Sequence, residues 1–254
     1  MAPYDLLGNI VLVKFQRETA LTLKKRWALS FLKEHERVTT VLEKTGRIKG
    51  RLRTPETKWL AGEKTKEVLY HENGCSFRFN VDTCYFSPRL AAERKTIASL
   101  VKKRERVLVL FGGVAVYAIV IGKTRKPARV VSIELGREGS TYARENVRRN
   151  KVAVDIIQGD VKKALLKMRE RFDRIVMARP NVPDTFLAYA LHVVKHKGTI
   201  HYYGFCHEDE LERMQSQLVA EARKVGRNIT IRKVTKAGDI GMRTYRYRID
   251  LAVS

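Results

Sequence analysis

The chain has 254 residues, 44% of them hydrophobic, which is enough for one large domain or for one domain with a small partner. Lysine and arginine number 51 and aspartate and glutamate 27, so the formal net charge is +24, well above that of an ordinary mixed surface. No apolar run is long enough to span a bilayer and the N-terminus lacks a signal-peptide pattern, whereas the basic excess favours a polyanionic partner whose phosphates release counterions on binding.

The first part of the chain mixes short strand-like runs with one helix. Alternating residues in NIVLVKF and the β-branched run VTTVLEK predict strands, and apolar residues at helical spacing in RETALTLKKRWALSFLKEH predict a helix between them. In EVLYHENGCSFRFNV, Asn73 and Gly74 suit the positive φ angles of a tight hairpin turn. We therefore predict a small α+β domain over residues 1–68 and a second domain over residues 69–254.

From about residue 87 the pattern changes to strands alternating with helices. Ser87 and Pro88 suit the start of a helix in SPRLAAERKTIASLV. Near-continuous apolar strands separated by amphipathic helices indicate an α/β fold with a mostly parallel sheet covered on both faces. The last two strands have no helix between them and should pair antiparallel at the sheet edge. The predicted strands are RVLVLF, ARVVSIEL, VDIIQ, DRIVMA and GTIHYYGF, with helices starting near Val114, Arg137, Val161, Asp184 and Glu208.

The cysteines argue against a metal site. Cys75, Cys84 and Cys206 are odd in number and none forms a C-x-x-C pair, so neither a disulfide framework nor a zinc site is expected. Reduced thiols fit a cytoplasmic protein, and a single chain with this charge could act as a monomer. We expect no metal and no membrane partner.

Ligands of open α/β sheets bind beyond the carboxyl ends of the strands. The first strand ends in Phe111 and two glycines, and Glu134 ends the second strand 21 residues past Gly113, the spacing of an acid that accepts both ribose hydroxyls of a nucleotide. Asp160 follows the third strand. Phosphate-binding P-loop spacing is absent, so a nucleoside-type cofactor without phosphates, beside a basic surface, points to S-adenosylmethionine.

The whole chain resembles the archaeal and eukaryotic tRNA methyltransferases that methylate N1 of guanine 37, next to the anticodon. The resemblance implies a Rossmann-like class I methyltransferase domain with a seven-stranded, mostly parallel sheet and an antiparallel edge strand, preceded by a small RNA-facing α+β domain. It also implies S-adenosylmethionine as cofactor and the anticodon arm of tRNA as partner. The resemblance lies in YDLLGNIVLVK, VTTVLEKTGRIKGRLRTPETKWLAGE, EVLYHENGCSFRFNVDTCYFSPRLAAER, ENVRRNKV, GTIHYYGF and RYRIDLAV.

Site residues follow from this resemblance. It implies that Glu93 is the general base that deprotonates guanine N1 and that Arg53 stabilises charge on the guanine. Tyr85 would hold or stack on the flipped base, and Arg89 is typical of the methylating branch. The implied cofactor-binding residues are Arg94, Phe111, Gly113, Val114, Glu134, Leu135, Asp160, Val161 and Ala178, and the implied substrate-binding residues are Tyr85, Arg89, Pro180 and Asn181.

Three departures from the family pattern leave alternatives open. An acid of the glycine turn is Val109 here, a glycine of that turn is Ala115, and the Asn of an Asn-Leu-Pro motif is Ala178, with Asn181 as a shifted replacement. A further N-terminal domain that binds the tRNA elbow in many members has no counterpart in this sequence. The alternative functions are aminocarboxypropyl transfer to a wybutosine precursor with the same cofactor, and tRNA binding with a decayed cofactor site.

Overall fold

The computed structural model describes residues 2–46 and 56–254. The first part is a four-stranded sheet in the order β1-β2-β3-β4, in which only the β2–β3 pair is parallel. Helix α1 packs on it through Ala28 and Phe31, which join the apolar side chains of β2, β3 and β4. The elements are β1 (Tyr4–Leu7), β2 (Ile10–Val13), α1 (Leu21–Glu34), β3 (Thr40–Lys44) and β4 (Thr57–Gly62).

A hairpin follows, formed by β5 (Glu67–Glu72) and β6 (Cys75–Asn80). Asn73 and Gly74 have φ angles of 50° and 71°, which confirms the predicted two-residue turn. The Asn9 side chain fastens the first sheet to this hairpin: it donates to the Glu67 carbonyl and accepts from the Leu69 amide at 2.7 Å. The predicted domain boundary after residue 68 falls within β5, and the domain division itself stays a prediction.

The second sheet has seven strands in the order β12-β13-β11-β10-β7-β8-β9. All neighbours are parallel except those of β13, which lies one place inside the edge because β12 pairs outside it. This confirms the Rossmann-like class I methyltransferase topology and the antiparallel pairing of the last two strands. The elements are α2 (Ala91–Leu100), β7 (Arg106–Leu110), α3 (Val116–Arg125), β8 (Arg129–Glu134), α4 (Arg137–Asn150), β9 (Asp155–Gln158), α5 (Val161–Lys167), β10 (Phe172–Met177), α6 (Leu187–Val193), β11 (Val194–His207), α7 (Leu211–Lys224), β12 (Ile229–Gly241) and β13 (Thr244–Val253).

One feature of the predicted helix start differs from the structure. Residues Pro88–Leu90 form a 3-10 turn before α2, and the Ser87 side chain makes no capping hydrogen bond. The helix is thus entered through a tight turn and not through a serine cap.

Apolar clusters lie on both faces of the large sheet. The face covered by α2, α3 and the hairpin includes Phe77, Ile97 and Ile119, and the face covered by α5, α6 and α7 includes Leu165, Leu187 and Leu218. Because other elements cover both faces of the sheet, the carboxyl ends of the parallel strands are the place where a ligand can bind. Across the two described ranges, no helix has the length and apolar character needed to cross a membrane.

Candidate functional site

The glycine turn after β7 combines a packing requirement with an open face. A Cβ on Gly112 would stand 2.0 Å from the Ser132 Oγ, so any larger residue would require the Ser132 hydroxyl to move away. At Gly113, where φ is 56°, an added Cβ would meet only the Tyr85 carbonyl oxygen at 3.7 Å. The turn is therefore both a tight corner at its first glycine and a surface that a ligand can approach at its second.

Glu134 fixes the conformation of this turn. Its Oε2 accepts from the Gly113 amide at 2.8 Å and its Oε1 from the Gly136 amide at 2.7 Å. The carboxylate therefore joins the glycine turn to the start of α4, at the carboxyl end of β8. Each oxygen keeps acceptor capacity for the hydroxyl group of a bound ligand.

The other predicted cofactor-binding residues lie along the same edge. Asp160 caps α5, because its Oδ1 accepts from the Lys162 amide at 2.9 Å and the Lys163 amide at 3.3 Å. Val114 and Val161 are buried, which leaves their backbone for any ligand contact. Leu135 is half-buried beside Glu134, and Phe111 packs edge-on against Phe186 with ring centroids 4.9 Å apart.

Glu93, the predicted base, lies on α2 and contacts the face of the large sheet. Its Oε1 accepts from the Tyr203 hydroxyl at 2.5 Å and from the Arg248 Nη1 at 2.8 Å. Within the described part of the chain, Oε2 has no hydrogen-bond partner. The carboxylate is thus oriented by one oxygen while the other stays available to take a proton.

Behind Glu93 a chain of ionisable side chains crosses the sheet. Arg248 Nε lies 3.0 Å from Asp250 Oδ1, which lies 2.6 Å from His201 Nδ1. His201 Nε2 lies 2.6 Å from the Arg174 Nη1, and Arg174 binds both oxygens of Glu105 at 2.7 and 3.0 Å. Because an arginine only donates, His201 Nε2 must accept, so Nδ1 carries the proton and donates to Asp250. The histidine is therefore neutral, in agreement with the burial that lowers its pKa.

Arg94, predicted to contact the cofactor, pairs with a glutamate of the hairpin in this structure. This side chain is buried, its Nε donates to Glu72 Oε1 at 2.5 Å and its Nη2 donates to Glu72 Oε2 and, at 3.1 Å, to the Ser87 carbonyl. These bonds fix the segment before α2 to the hairpin. A contact with the cofactor would have to use Nη1, which makes none of them, and it stays a prediction.

Two predicted substrate-binding residues just before α2, one aromatic and one basic, are accessible. Tyr85 is 49% exposed, and its carbonyl oxygen lies near Gly113, so its backbone borders the glycine turn while its side chain is accessible. Arg89 is largely exposed and its Nη2 donates to Asp5 Oδ1 at 2.8 Å, which links this segment to the first sheet. Arg53, the second predicted catalytic residue, lies outside the described residues.

The segment after β10 places its residues on different faces. Ala178 packs against the apolar cluster beneath α2 and α3, whereas Asn181 lies exposed in a groove on the α7 side with Tyr202 and Phe205. The predicted replacement of the missing asparagine by Asn181 therefore requires the loop to reach across the sheet edge. Pro180 is half-buried between them.

Arg179, which the sequence did not single out as a site residue, fixes this loop. Its guanidinium is buried and donates to the carbonyl oxygens of Val182, Asp184 and Tyr203. Burial lowers its pKa. The loop is thus held by an internal cation at the position where the family has the leucine of Asn-Leu-Pro.

Sequence reasoning also missed the partners of Glu93. Tyr203 and His201 occur in GTIHYYGF, and Arg248 and Asp250 in RYRIDLAV, segments that were assigned to strands and to the family resemblance but not to the site. The signal was present: polar or charged residues at every second position of otherwise apolar strands share one face of a sheet. The sequence alone does not show which face of the sheet these residues occupy or which side chains they meet, because both depend on the register of strand pairing.

Comparison with known proteins identifies the family. A profile described as the TRM5/TYW2 methyltransferase domain matches residues 68–230, and a profile described as the TYW2 N-terminal domain matches residues 2–65. The chain belongs to the TRM5/TYW2 methyltransferase family. This is a class I family that uses S-adenosylmethionine, which confirms the predicted family and cofactor.

Individual relatives cover nearly the whole chain. A Nanoarchaeum equitans protein named tRNA (guanine(37)-N(1))/4-demethylwyosine(37)-methyltransferase Taw22 is 33% identical over 98% of this chain and 98% of its own length. A Methanocaldococcus jannaschii tRNA(Phe) (4-demethylwyosine(37)-C(7)) aminocarboxypropyltransferase is 28% identical over 92% of each chain. The crystal structure of Trm5b from Pyrococcus abyssi superposes with a TM-score of 0.88 at 30% identity, covering 99% of this chain and 75% of that one.

Proposed function

We propose that this protein transfers a methyl group from S-adenosylmethionine to N1 of guanine 37 in tRNA. The observation that carries the proposal is the arrangement of Glu93, whose Oε1 is fixed by Tyr203 and Arg248 while its Oε2 has no partner among the described residues. A fixed carboxylate with one free oxygen suits the removal of a proton from a ring nitrogen. The basic net charge of +24 suits an RNA substrate.

The residues at the carboxyl edge fit the cofactor. A Cβ on Gly113 would make one ordinary contact, at 3.7 Å from the Tyr85 carbonyl oxygen, and a Cβ on Gly159 would meet nothing within 4 Å, so the backbone at the ends of β7 and β9 can be approached closely. Glu134 would hold the ribose hydroxyls, and Asp160 lies beside it for the base. When bound, S-adenosylmethionine supplies an electrophilic methyl group, with the electrons of the broken C–S bond remaining on sulfur.

The chain's own residues prepare the nucleophile. Glu93 Oε2 would take the proton from guanine N1, which leaves an electron pair on that nitrogen for the new bond to carbon. Tyr203 and Arg248 would keep Glu93 oriented during this transfer. Tyr85, exposed beside Gly113, would stack on the target base once it leaves the anticodon loop.

A second candidate, aminocarboxypropyl transfer, is supported by the match of residues 2–65 to the TYW2 N-terminal domain and by the aminocarboxypropyltransferase relative. The methyl proposal is preferred because the relative named for methylation is similar over 98% of both chains. Product tRNA differs in mass between the two reactions: one methyl adds about 14 Da, whereas the larger group adds far more.

The proposal is tested by incubating the protein with S-adenosylmethionine and unmodified tRNA transcripts that carry guanine or adenine at position 37. We expect methylation of the guanine transcript only, and we expect Glu93→Gln to lower the single-turnover rate by about 10²-fold or more with tRNA affinity retained. Glu138→Gln, an equal change in charge at an exposed position of α4, is the control and should leave the rate unchanged. Full activity of Glu93→Gln would exclude Glu93 as the base.

A further inference from the structure

A cavity of about 460 Å³, which we call the α7 cavity, lies between the loop after β10, the end of β11 and helix α7. Aromatic and apolar side chains form much of its wall, and polar side chains stand at its exposed rim. The wall includes Tyr202, Phe205 and Met214, and the rim includes Glu210, Arg213 and Gln217. A cavity of this size with this lining is typical of a site for a planar organic ligand.

Tyr202 brings a polar group without a partner to this cavity. The residue is 2% exposed and lines the cavity, and its hydroxyl has no hydrogen-bond partner among the described residues. Burial raises the pKa of Tyr202, so the hydroxyl keeps its proton at neutral pH and can both donate and accept. A buried hydroxyl without a partner costs free energy, which a ligand with a matching polar group would recover.

Strand alternation places the α7 cavity close to the predicted base. Tyr202 and Tyr203 are neighbours on β11, so their side chains point to opposite faces of the sheet, and the Tyr203 hydroxyl binds Glu93. Phe205 belongs by alternation to the face of Tyr203, yet it lines the cavity. The cavity therefore reaches round the end of β11 towards the face that carries Glu93.

The loop after β10 connects the same two places. Ala178 packs on the face of the sheet that α2 covers, whereas Asn181, three residues further on, lines the α7 cavity. Three residues span at most about 11 Å, a distance that adjoining nucleotides of an unstacked strand can bridge. A strand whose flipped base reaches Glu93 can thus place a neighbouring base at the cavity.

We propose that the α7 cavity binds the base of a nucleotide that adjoins guanine 37 while this guanine lies at Glu93. This inference rests on the proposed function. An aromatic wall binds an unpaired base by stacking, and the Tyr202 hydroxyl and the Gln217 amide offer hydrogen bonds to its edge. A neighbouring base held there would keep guanine 37 out of the anticodon stack. The cavity would therefore serve recognition of the anticodon loop and not the chemical step.

The first test removes a base and keeps the rest of the substrate. Transcripts with guanine 37 and an abasic nucleotide at position 36 or 38 are compared with the complete transcript, by binding in the presence of S-adenosylhomocysteine and by single-turnover methylation. We expect the wild type to bind one of the two abasic transcripts about 5- to 100-fold more weakly, the range for a lost base–aromatic stack. Equal affinity for all three transcripts would overturn the proposal.

The second test closes the cavity. Gln217→Trp, at the exposed rim, should weaken binding of the complete transcript about 5- to 100-fold. It should lose nothing further with the sensitive abasic transcript, because the base and the cavity act as one unit. Ser216→Trp adds the same side chain at an exposed position of α7 outside the cavity lining, and it should bind every transcript as the wild type does. If Gln217→Trp and the abasic change weaken binding independently, the recognised base lies elsewhere and the proposal is wrong.

Tyr202→Phe keeps the test decisive if Gln217→Trp does not fold. It removes only the hydroxyl, and it should weaken binding of the complete transcript about 2- to 10-fold. This loss should disappear with the sensitive abasic transcript. An equal loss on both transcripts would show that the hydroxyl does not meet that base.

The two proposals fail in different ways. If the wild type leaves guanine 37 of the complete transcript unmethylated, the proposed function is wrong. If the wild type methylates it, and the effect of either neighbouring base is absent or is the same in the wild type and Gln217→Trp, only the assignment of the α7 cavity is wrong.

Discussion

Glu134 performs two tasks with one carboxylate. It accepts from the amides of Gly113 and Gly136 and it ends β8 at the edge where a ribose would lie. This double use explains how a turn with Val109 and Ala115 in place of an acid and a glycine keeps its shape. The backbone of Ala115 has a φ of 66°, a left-handed conformation that an alanine adopts at a cost of about 1 kcal/mol.

We therefore predict that Glu134→Gln weakens binding of S-adenosylhomocysteine by about 10- to 100-fold. The amide would lose the charge that accepts the ribose hydroxyls and could no longer accept from both glycine amides. Isothermal titration calorimetry measures the change, with Glu138→Gln as the matched control. Equal affinity of Glu134→Gln and wild type would show that the cofactor does not bind at this carboxylate, and absence of binding to the wild type would favour a decayed site.

Single residues differ in how far the sequence predicts them. Glu134 was found because its distance from Gly113 and its place after a strand are both local properties. The burial of Arg94 against Glu72 was not predictable, because the two residues meet only when the hairpin packs on α2. The exposed or buried state of an arginine such as Arg94 is decided by such distant partners.

At the scale of elements, helix α4 holds the hairpin through two asparagines. Asn150 accepts from the Ser76 amide at 2.8 Å and donates to its carbonyl at 2.7 Å. Asn146, one turn earlier, bonds in the same way to both backbone groups of Arg78. Side chains four residues apart on a helix thus satisfy an otherwise unpaired edge of β6.

We predict that Asn146→Ala lowers the free energy of unfolding by about 1–3 kcal/mol, since it leaves buried backbone groups without partners. Urea denaturation gives the stability, and hydrogen exchange at the Arg78 amide should accelerate. Arg148→Ala, at an exposed position of the same helix, should change stability by less than about 0.5 kcal/mol. If Asn146→Ala leaves the free energy of unfolding unchanged, water replaces the side chain at this edge of β6.

The elements themselves were mostly predictable from periodicity. The strands of the large sheet and the helices that cover it follow the spacing of apolar residues, which differs between a strand and a helix. Strands β1 and β4 were not predicted: YDLL is short and half exposed, and TKWLAG lacks a clear alternation. Both are edge strands whose conformation is fixed by pairing with β2 and β3, which is tertiary information.

At the scale of the whole molecule, the buried chain from Glu105 to Glu93 ties the site to the sheet. It contains three acids, two arginines and a neutral histidine, so it carries one excess negative charge, which the proton taken up by Glu93 would neutralise. The chain joins β10, β11 and β13 with α2, and its directly bonded partners Glu93 and Arg248 are 155 residues apart in sequence. No local pattern predicts such a network, although its members on β11 and β13 lie at alternating strand positions.

This network predicts how stability depends on pH. Burial lowers the pKa of His201 from its ordinary value near 6.5, so the folded protein keeps this histidine neutral while the unfolded chain binds a proton as the pH falls. Stability should therefore decrease from about pH 6.5 downward, by at most about 1.4 kcal/mol per pH unit for this group. Burial raises the pKa of Asp250, but hydrogen bonds and charges from His201 and Arg248 together bring it below its ordinary value. The stability that this carboxylate contributes to the folded protein is therefore lost only in more acidic solution, below about pH 4.

The measurement is urea denaturation of wild type and His201→Gln at pH 7.5 and 5.0. Glutamine can still accept from Arg174 and donate to Asp250, but it does not titrate, so the variant should lose less stability between the two pH values than the wild type does. His196→Gln, at an exposed position, should keep the wild-type dependence. An identical pH dependence for His201→Gln and wild type would mean that His201 binds its proton equally in the folded and unfolded chains, and the neutral tautomer assigned to the network would be wrong.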